Sequence, residues 1–274
     1  MQRPARAEGR TAHGRRFVNV PRLIAHRGYP RHYPENTLPA IEAALNLGAA
    51  YVEFDVQLSA DGVPFVIHDD TLERTTSGRG AVGERPSAAL AALDAGEPMR
   101  FGARFRGTAL PTLAAMVDLL TAWPGVGVFV ELKRASLERF GVERVLTSVQ
   151  AVLAPIAAQC VIISFDAAAV AAARAAGLRG GWVFEDWSDA SRRRADALAP
   201  EFLFTDHECV PAKSAHRGSG LWSGPWQWAL YDISDPDLAL QWAARGVGLI
   251  ETWSIGEMLA HPLLGRGRRH AARV

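Results

Sequence analysis

Residues 51–69 read YVEFDVQLSADGVPFVIHD, and this stretch predicts a β-hairpin attached to a larger sheet. Two runs rich in β-branched and aromatic residues flank the dipeptide Asp61-Gly62, which is a strong hairpin signal. The linker between the runs is too short for a parallel crossover, which needs about a dozen residues. The second run should therefore return antiparallel to the first. With the turn centred near Asp61, residue 68 lies opposite residue 54.

Outside this hairpin, short apolar runs alternate with alanine- and leucine-rich stretches, a pattern typical of parallel α/β domains. The runs predict strands at Leu23–Arg27, Tyr51–Val56, Pro64–Asp69, Gly127–Lys133, Cys160–Phe165, Gly180–Phe184, Phe202–Asp206, Trp228–Ile233 and Gly248–Thr252. The stretches predict helices at Thr37–Leu47, Ser87–Leu93, Leu113–Trp123, Leu137–Leu153, Ala167–Ala176, Ala190–Leu198 and Pro236–Ala244. One strand is the hairpin arm, which leaves eight for a barrel. We predict an α/β fold, a TIM-type (β/α)8 barrel with a β-hairpin after the second strand and a small insertion.

Composition bounds the class of protein. The 274 residues include 49% hydrophobic and 22% charged residues, with a formal net charge of +1, which argues against nucleic acid as the main partner. No run approaches about 18 apolar residues, so we predict no stable membrane insertion, and the start of the chain lacks the apolar core of a secretory signal. Two cysteines form no disulfide framework, and we predict a cytoplasmic location. The oligomeric state is not indicated.

The domain organisation follows from where basic residues concentrate. We predict a basic, flexible N-terminal arm at residues 1–20 and a basic tail at 263–274. Between them, residues 21–262 form a single barrel domain. It carries a small insertion at about residues 72–108.

Three acidic residues are predicted to face the inside of the barrel. Glu53 and Asp55 lie two apart on one strand, and Glu131 precedes Lys133 at the same spacing on another, so each pair shares a face. Two carboxylates about 5 Å apart repel by roughly 3 kcal/mol at an effective dielectric near 20. A hard divalent cation would relieve this repulsion. The alternatives are buried salt bridges to Arg or Lys, and a lone pair between Glu131 and Lys133 that bridges two strands.

Two histidines end strands near these carboxylates. His26 closes the first strand just before Gly28, and His68 closes the hairpin arm, which carries it back beside Glu53 and Asp55. Imidazole titrates near neutral pH, so two such histidines can act as a general acid and a general base. Arg27 offers a planar fork for a phosphate oxygen. A lone histidine at a strand end is more often structural.

The ordered motifs resemble the glycerophosphodiester phosphodiesterase family. They are His26-Arg27-Gly28, Pro34-Glu35-Asn36-Thr37, Glu53-Phe54-Asp55-Val56, His68-Asp69, Thr71-Leu72-Glu73-Arg74-Thr75-Thr76 with Gly78 and Gly80, Pro111-Thr112-Leu113 and Glu131-Leu132-Lys133. The resemblance is dense from Leu23 to about Lys133 and thinner beyond.

What the resemblance implies is an enzyme of glycerol and lipid metabolism that hydrolyses a small-molecule glycerophosphodiester to glycerol phosphate and an alcohol. It also implies a TIM-type barrel with one divalent cation, Mg²⁺ or Ca²⁺. The roles implied are metal ligands at Glu53, Asp55 and Glu131, an acid and a base at His26 and His68, phosphate ligands at Arg27 and Lys133, and a supporting residue at Glu35. Glu35 also belongs to a segment, 34–37, that is suited to cap the following helix.

The C-terminal third departs from the family pattern. Where the family usually has a Trp-Thr-Val-Asn-like strand, this chain has residues 231–234 as Tyr-Asp-Ile-Ser, and the family's final Thr-Asp-x-Pro element is replaced at 251–254 by Glu-Thr-Trp-Ser. Trp253 follows the last strand and is predicted at the barrel mouth, where it either contacts the leaving alcohol or plugs the barrel. Two alternatives remain, a lysophospholipase D-like release of a headgroup and a non-catalytic barrel that binds phosphate or a headgroup.

Overall fold

The computed structural model describes residues 20–211 and 220–267 and contains a closed barrel of parallel strands. The strands are β1 Arg22–Ala25, β2 Tyr51–Leu58, β3 Pro64–Val66, β4 Gly127–Leu132, β5 Cys160–Ser164, β6 Arg179–Phe184, β7 Phe202–Asp206, β8 Gln227–Tyr231 and β9 Leu249–Thr252. All but β3 are parallel to their neighbours, and pairing of β1 with both β2 and β9 closes the barrel. The predicted TIM-type barrel is therefore confirmed.

Helices cover the outside of the barrel and the insertion. They are α1 Leu38–Asn46, α2 Ser87–Ala91, α3 Pro98–Phe101, α4 Leu113–Leu120, α5 Arg134–Phe140, α6 Val142–Leu153, α7 Ala167–Ala175, α8 Asp189–Leu198, α9 Pro236–Ala244 and α10 Ile255–Ala260. Within the described ranges no single helix is long and apolar enough to cross a bilayer, although the bent pair Arg134–Phe140 and Val142–Gln159 meets the length and composition test together. The predicted N-terminal arm lies outside the described residues, except for residue 20.

One predicted helix is wrong as drawn. The single helix predicted over residues 137–153 is two helices, α5 and α6, which meet at Gly141. Gly141 has a φ of 81°, a left-handed conformation that ends α5 and that glycine adopts without steric cost. The apolar periodicity runs through this break because Leu137 of α5 and Val145 and Val149 of α6 all belong to one apolar cluster.

At the C-terminal end of the domain, the buried core extends at least to Leu264, which lies just beyond the predicted boundary at residue 262.

The hairpin positions residue 68 through its register. Val56 lies opposite Val66 and Leu58 opposite Pro64, and the Ile67 amide donates to the Asp55 carbonyl over 3.0 Å. The ladder stops earlier than predicted, at Val66 rather than residue 69. Beyond it, the side chain of Gln57, on the neighbouring strand, donates to the backbone carbonyls of residues 68 and 69.

The alternation of side chains along the strands creates two apolar layers. An inner layer fills the barrel and includes Ile24, Phe129, Val161, Ile163, Val183, Phe202, Phe204, Ala229 and Leu249. The outer layer packs against the helices, and it holds Trp226 and Trp228, which are 7% and 5% exposed as predicted. Because side chains alternate with a period of two, the next inward positions above the inner layer lie at the C-terminal rim of the strands. We call this rim the mouth.

The insertion has an apolar cluster of its own beside the mouth. Leu72, Val82, Leu90 and Ala95 pack with Phe65 and other hairpin side chains. The insertion is therefore attached to the hairpin arm by burial of apolar surface, at the end of the barrel where the polar residues lie.

Candidate active site

Three predicted carboxylates meet inside the mouth. Glu53, Asp55 and Glu131 each offer an oxygen within 4.8 Å of the others, and all three residues are buried. A second group overlaps the first, since His26 and Glu251 each offer an atom within the same distance of Glu53. The Glu53 Oε1 and Glu251 Oε1 atoms are buried without a hydrogen-bond partner. Buried unpaired carboxylate oxygens are the ligands that a hard divalent cation takes, so these clusters could hold a metal ion.

Two cations lie against the same carboxylates. Lys133 Nζ is 2.7 Å from Glu131 Oε1 and 3.2 Å from Asp55 Oδ1, and Arg27 Nε is 3.2 Å from Asp55 Oδ2. Burial alone raises the pKa of Asp55, but the charges of Lys133 and Arg27 outweigh it and hold that pKa well below its usual range. The salt-bridge alternative raised from the sequence is thus also present in the structure.

The other two carboxylates are less well compensated. Burial, followed by the negative charges of Asp55 and Glu251, raises the pKa of Glu53 well above its ordinary value. Burial raises the pKa of Glu131 to about 7, even though Lys133 opposes the shift. A carboxyl group that stays protonated in the absence of a cation is expected to release its proton when a divalent cation binds to it.

Glu35 connects the two arginines of the mouth. Its Oε1 accepts from Arg27 Nη1 and from Arg74 Nη2, both over 2.8 Å, and its Oε2 accepts from Arg74 Nη1 over 2.8 Å. Arg74 Nε in turn donates to Asp69 Oδ2 over 2.6 Å. Asp69 Oδ1 lies 2.7 Å from His68 Nδ1. A continuous chain of polar contacts therefore runs from His68 to Arg27, and Glu35 holds its centre.

The two histidines occupy different surroundings. His26 is buried, with Nδ1 3.4 Å from Asp232 Oδ1 and Nε2 3.9 Å from Glu53 and 4.0 Å from Glu251. Burial and the charge of Arg27 lower the pKa of His26 against the opposing effect of Asp232. The His68 side chain is 32% exposed. Burial lowers the pKa of His68 below its ordinary value, although the charge of Asp55 opposes this shift.

Backbone strain accompanies these contacts. Arg27, Asn36 and Asp232 have φ values of 53°, 58° and 61°, in a left-handed region that non-glycine residues rarely occupy. In this conformation the Arg27 amide donates to Glu53 Oε2 over 3.1 Å. Gly28 follows with a φ of 88°, and a Cβ there would lie 2.6 Å from the Ala40 carbonyl carbon. Only glycine allows the chain to turn into α1 at this distance.

Trp253 lies against His26 and Arg27. Its Nε1 donates to Asp232 Oδ1 over 2.7 Å, and its ring meets the His26 ring edge-on at 5.5 Å. The Arg27 guanidinium carbon is 5.3 Å from the indole centroid. Trp253 thus adjoins the mouth, although its substrate contact stays a prediction.

Sequence reasoning missed four residues of this site. Asn36 was interpreted only as a capping type, but Thr37 caps α1, and Asn36 instead donates to Asp55 Oδ2 over 2.8 Å and accepts from the Asp55 amide. Arg74, Asp232 and Glu251 carried no assigned role. A period-two count along the last strand would have found Glu251, which is two residues after the inward Leu249. Arg74 and Asp232 lie in loops, where no periodicity points to a direction.

Similarity to known proteins is consistent with this arrangement. Residues 26–227 match the Glycerophosphoryl diester phosphodiesterase family. A glycerophosphodiester phosphodiesterase of Caldanaerobacter subterraneus subsp. tengcongensis is 45% identical over 98 residues, which are 36% of this chain and 40% of the relative. A probable glycerophosphodiester phosphodiesterase 1 of Mycobacterium tuberculosis is 38% identical over 167 residues, covering 55% of this chain and 58% of the relative. The matched segments thus span less than two thirds of these curated relatives.

Solved structures extend the likeness over the whole barrel. An Oleispira antarctica phosphodiesterase, solved in complex with the product sn-glycerol-3-phosphate, superposes with a TM-score of 0.75 at 26% identity over 88% of this chain and 96% of that one. A glycerophosphodiester phosphodiesterase from Agrobacterium tumefaciens has a TM-score of 0.67 at 27% identity and covers 88% of this chain and all of that one. With the family match extending over more than half of its residues, this chain belongs to the glycerophosphoryl diester phosphodiesterase family.

Proposed function

We propose that this protein hydrolyses glycerophosphodiesters to glycerol phosphate and an alcohol. The observation that carries the proposal is the convergence, in one mouth, of the carboxylates Glu53, Asp55 and Glu131 with the cations Arg27 and Lys133 and the histidine His26. The family match supports the reaction class. The Oleispira antarctica neighbour, which holds sn-glycerol-3-phosphate, supports the product.

Glu53, Asp55 and Glu131 would hold one divalent cation, Mg²⁺ or Ca²⁺. Their burial and the unpaired Glu53 Oε1 atom favour an oxygen-liganded ion over a purely salt-bridged cluster. Bound there, the ion would offset negative charge that develops on the phosphoryl oxygens.

Arg27 and Lys133 would bind the non-bridging oxygens of the phosphodiester. Both side chains are mostly buried and both face Asp55, so their charges are concentrated where an anionic substrate would enter. Burial lowers the pKa of Lys133, but the charges of Asp55 and Glu131 more than reverse that effect, so the ammonium stays charged at neutral pH. The contacts of Arg27 with Glu35 and Asp55 hold its guanidinium plane in place before substrate binds.

His26 and His68 would move the protons. One would accept a proton from the attacking oxygen and the other would donate one to the leaving alkoxide, each role contributing about 10²–10⁴-fold. His26 Nδ1 faces Asp232, which leaves Nε2 to face the carboxylate cluster and the reacting atoms.

The direct test is turnover of glycerophosphocholine and glycerophosphoethanolamine. Released glycerol phosphate is measured for the protein in excess chelator and after Mg²⁺ or Ca²⁺ is restored. We expect turnover only with a divalent cation, and retention of full activity in chelator would contradict the metal assignment. Failure to release glycerol phosphate from either substrate with both metals would contradict the proposed reaction. The cytoplasmic location stays a prediction.

A further inference from the structure

The tip of the insertion, residues 98–106, presents an unusual surface. Met99 is 93% exposed and is the one large hydrophobic side chain so exposed in the described part of the chain. It belongs to α3, a short helix that buries none of its residues. A flexible thioether side chain held clear of the protein in this way gains nothing from the fold itself.

The insertion tip is also basic. Between Pro98 and Ala109 the sequence contains three arginines and no acidic residue. Arg100 is paired with Glu97 over 2.6 Å, but Arg104 and Arg106 have no ion-pair partner among the residues the structure describes. The Arg104 guanidinium carbon lies 5.9 Å from the Tyr33 ring centroid and 4.8 Å from that of Phe105. Within the described residues, the insertion tip therefore carries two exposed arginines that lack an ion-pair partner, together with one exposed apolar side chain.

The insertion tip is fastened to the mouth. The Glu35 amide donates to Glu97 Oε1, Arg100 donates to the Pro30 carbonyl, and the Phe105 ring lies 5.5 Å from the Tyr33 ring. These partners belong to the β1–α1 loop, which also carries Arg27 of the candidate active site. Whatever the insertion tip binds is thereby held next to the entrance of the barrel.

We propose that the insertion tip docks on an anionic lipid surface, with Met99 entering the acyl region and Arg104 and Arg106 binding anionic headgroups. The inference rests on the proposed function, because a glycerophosphodiester shares its headgroup chemistry with phospholipids. Beyond the proposed function, it specifies that the protein meets its substrate at a membrane surface, with the mouth turned toward lipid-derived molecules.

The dimensions of the insertion tip favour a lipid surface over a protein partner. A stable protein interface buries about 1,200 Å² or more of total surface, which a nine-residue tip with one projecting apolar side chain does not supply. A lipid surface needs no matching shape, and binding to it is favoured by one inserted apolar group combined with nearby basic residues.

The test is co-sedimentation of the full chain with vesicles. Phosphatidylcholine vesicles are compared with vesicles that also contain phosphatidylglycerol. We expect binding to the anionic vesicles only, and its loss at high salt. One arginine near an anionic surface accounts for about fivefold in affinity, so Arg104→Gln/Arg106→Gln should weaken binding at least tenfold, and Met99→Ser several-fold. Arg144→Gln/Arg193→Gln, which removes two exposed arginines from α6 and α8, is the matched control and should change binding less than twofold.

Three results would overturn the proposal. They are no binding of the wild-type chain to anionic vesicles, equal binding of the tip variants and the wild type, and concentration-dependent self-association that Met99→Ser abolishes. The last would assign the surface to a second copy of the chain. Turnover of dissolved glycerophosphocholine is measured in parallel and should be unchanged by the tip substitutions. Because vesicle binding needs no catalysis, a failure of the proposed reaction and a failure of the lipid contact give separate readings.

Discussion

Two sides of the mouth differ in whether basic side chains compensate their buried carboxylates. On the side built by β1, β2 and β4, Asp55 lies between Arg27 and Lys133, and its pKa stays low despite burial. On the side built by β8 and β9, Glu251 has only His26 Nε2, at 4.0 Å, as an ion-pair contact within the described residues. Burial and then the charge of Glu131 raise the pKa of Glu251 well above its ordinary value.

The difference separates what defines the family from what is particular to this chain. The compensated side contains the motifs that carry the resemblance, whereas the other side consists of Asp232, Glu251 and Trp253, where the chain departs from the family pattern. These three residues surround His26. We infer that the first side binds the phosphodiester and that the second side tunes His26 and shapes the space for the alcohol.

The largest effect is expected from the compensated side. Glu53→Gln removes the carboxyl group that belongs to both candidate metal-binding clusters, and we expect turnover to fall about a thousandfold, since a catalytic metal supplies several kcal/mol. Metal content by mass spectrometry should fall with it. Glu185→Gln, an exposed carboxylate just after β6, is the matched control. A Glu53→Gln protein that binds metal and turns over normally would remove Glu53 from the site.

The histidines come next. His26→Ala and His68→Ala should each lower turnover at least a hundredfold and leave the thermal midpoint nearly unchanged, because each lies at the mouth rather than in an apolar layer. His32, an exposed histidine paired with Glu257, is the control, and His32→Ala should leave both turnover and the thermal midpoint nearly unchanged. If one variant unfolds or keeps near-normal turnover, that histidine is structural.

A smaller effect is expected at Trp253. Trp253→Ala should lower kcat/KM for glycerophosphocholine two- to thirtyfold, corresponding to a cation–π contact of about 0.5–2 kcal/mol, with less change for a glycerol leaving group. Trp253→Phe keeps a ring face but loses the hydrogen bond to Asp232, and it separates the two contributions. An equal loss on both substrates would instead assign Trp253 the role of a plug.

The smallest change in turnover is expected at Glu251, together with a gain in stability. Glu251→Gln removes a buried carboxyl that lacks a basic partner of its own. In excess chelator at neutral pH, we expect the free energy of unfolding of the variant to exceed that of the wild type by about 1–3 kcal/mol. The folded pKa is raised, so the native state of the wild type binds more protons than the unfolded state above about pH 4.3. Wild-type stability should therefore decline with rising pH relative to the variant. Denaturant titrations from pH 5 to 9 measure this, and parallel curves would contradict it.

Much of the fold could be predicted because its signals are local. β-branched runs, the Asp61-Gly62 turn and period-two alternation act within a few residues, and they indicated every strand and the inward direction of Glu53, Asp55 and Glu131. The break at Gly141 was missed because the apolar pattern continues across it.

By itself, then, the sequence determined the barrel and the inward face of Glu53, Asp55 and Glu131, because these depend on spacing along the chain. Only the tertiary structure decided which charges meet. Arg74 reaches Glu35 across 39 positions, and Glu251 approaches His26 because β9 closes the barrel against β1. Such contacts depend on loop paths and on barrel closure. The resulting pKa values depend on burial together with every neighbouring charge, and spacing along the chain specifies neither.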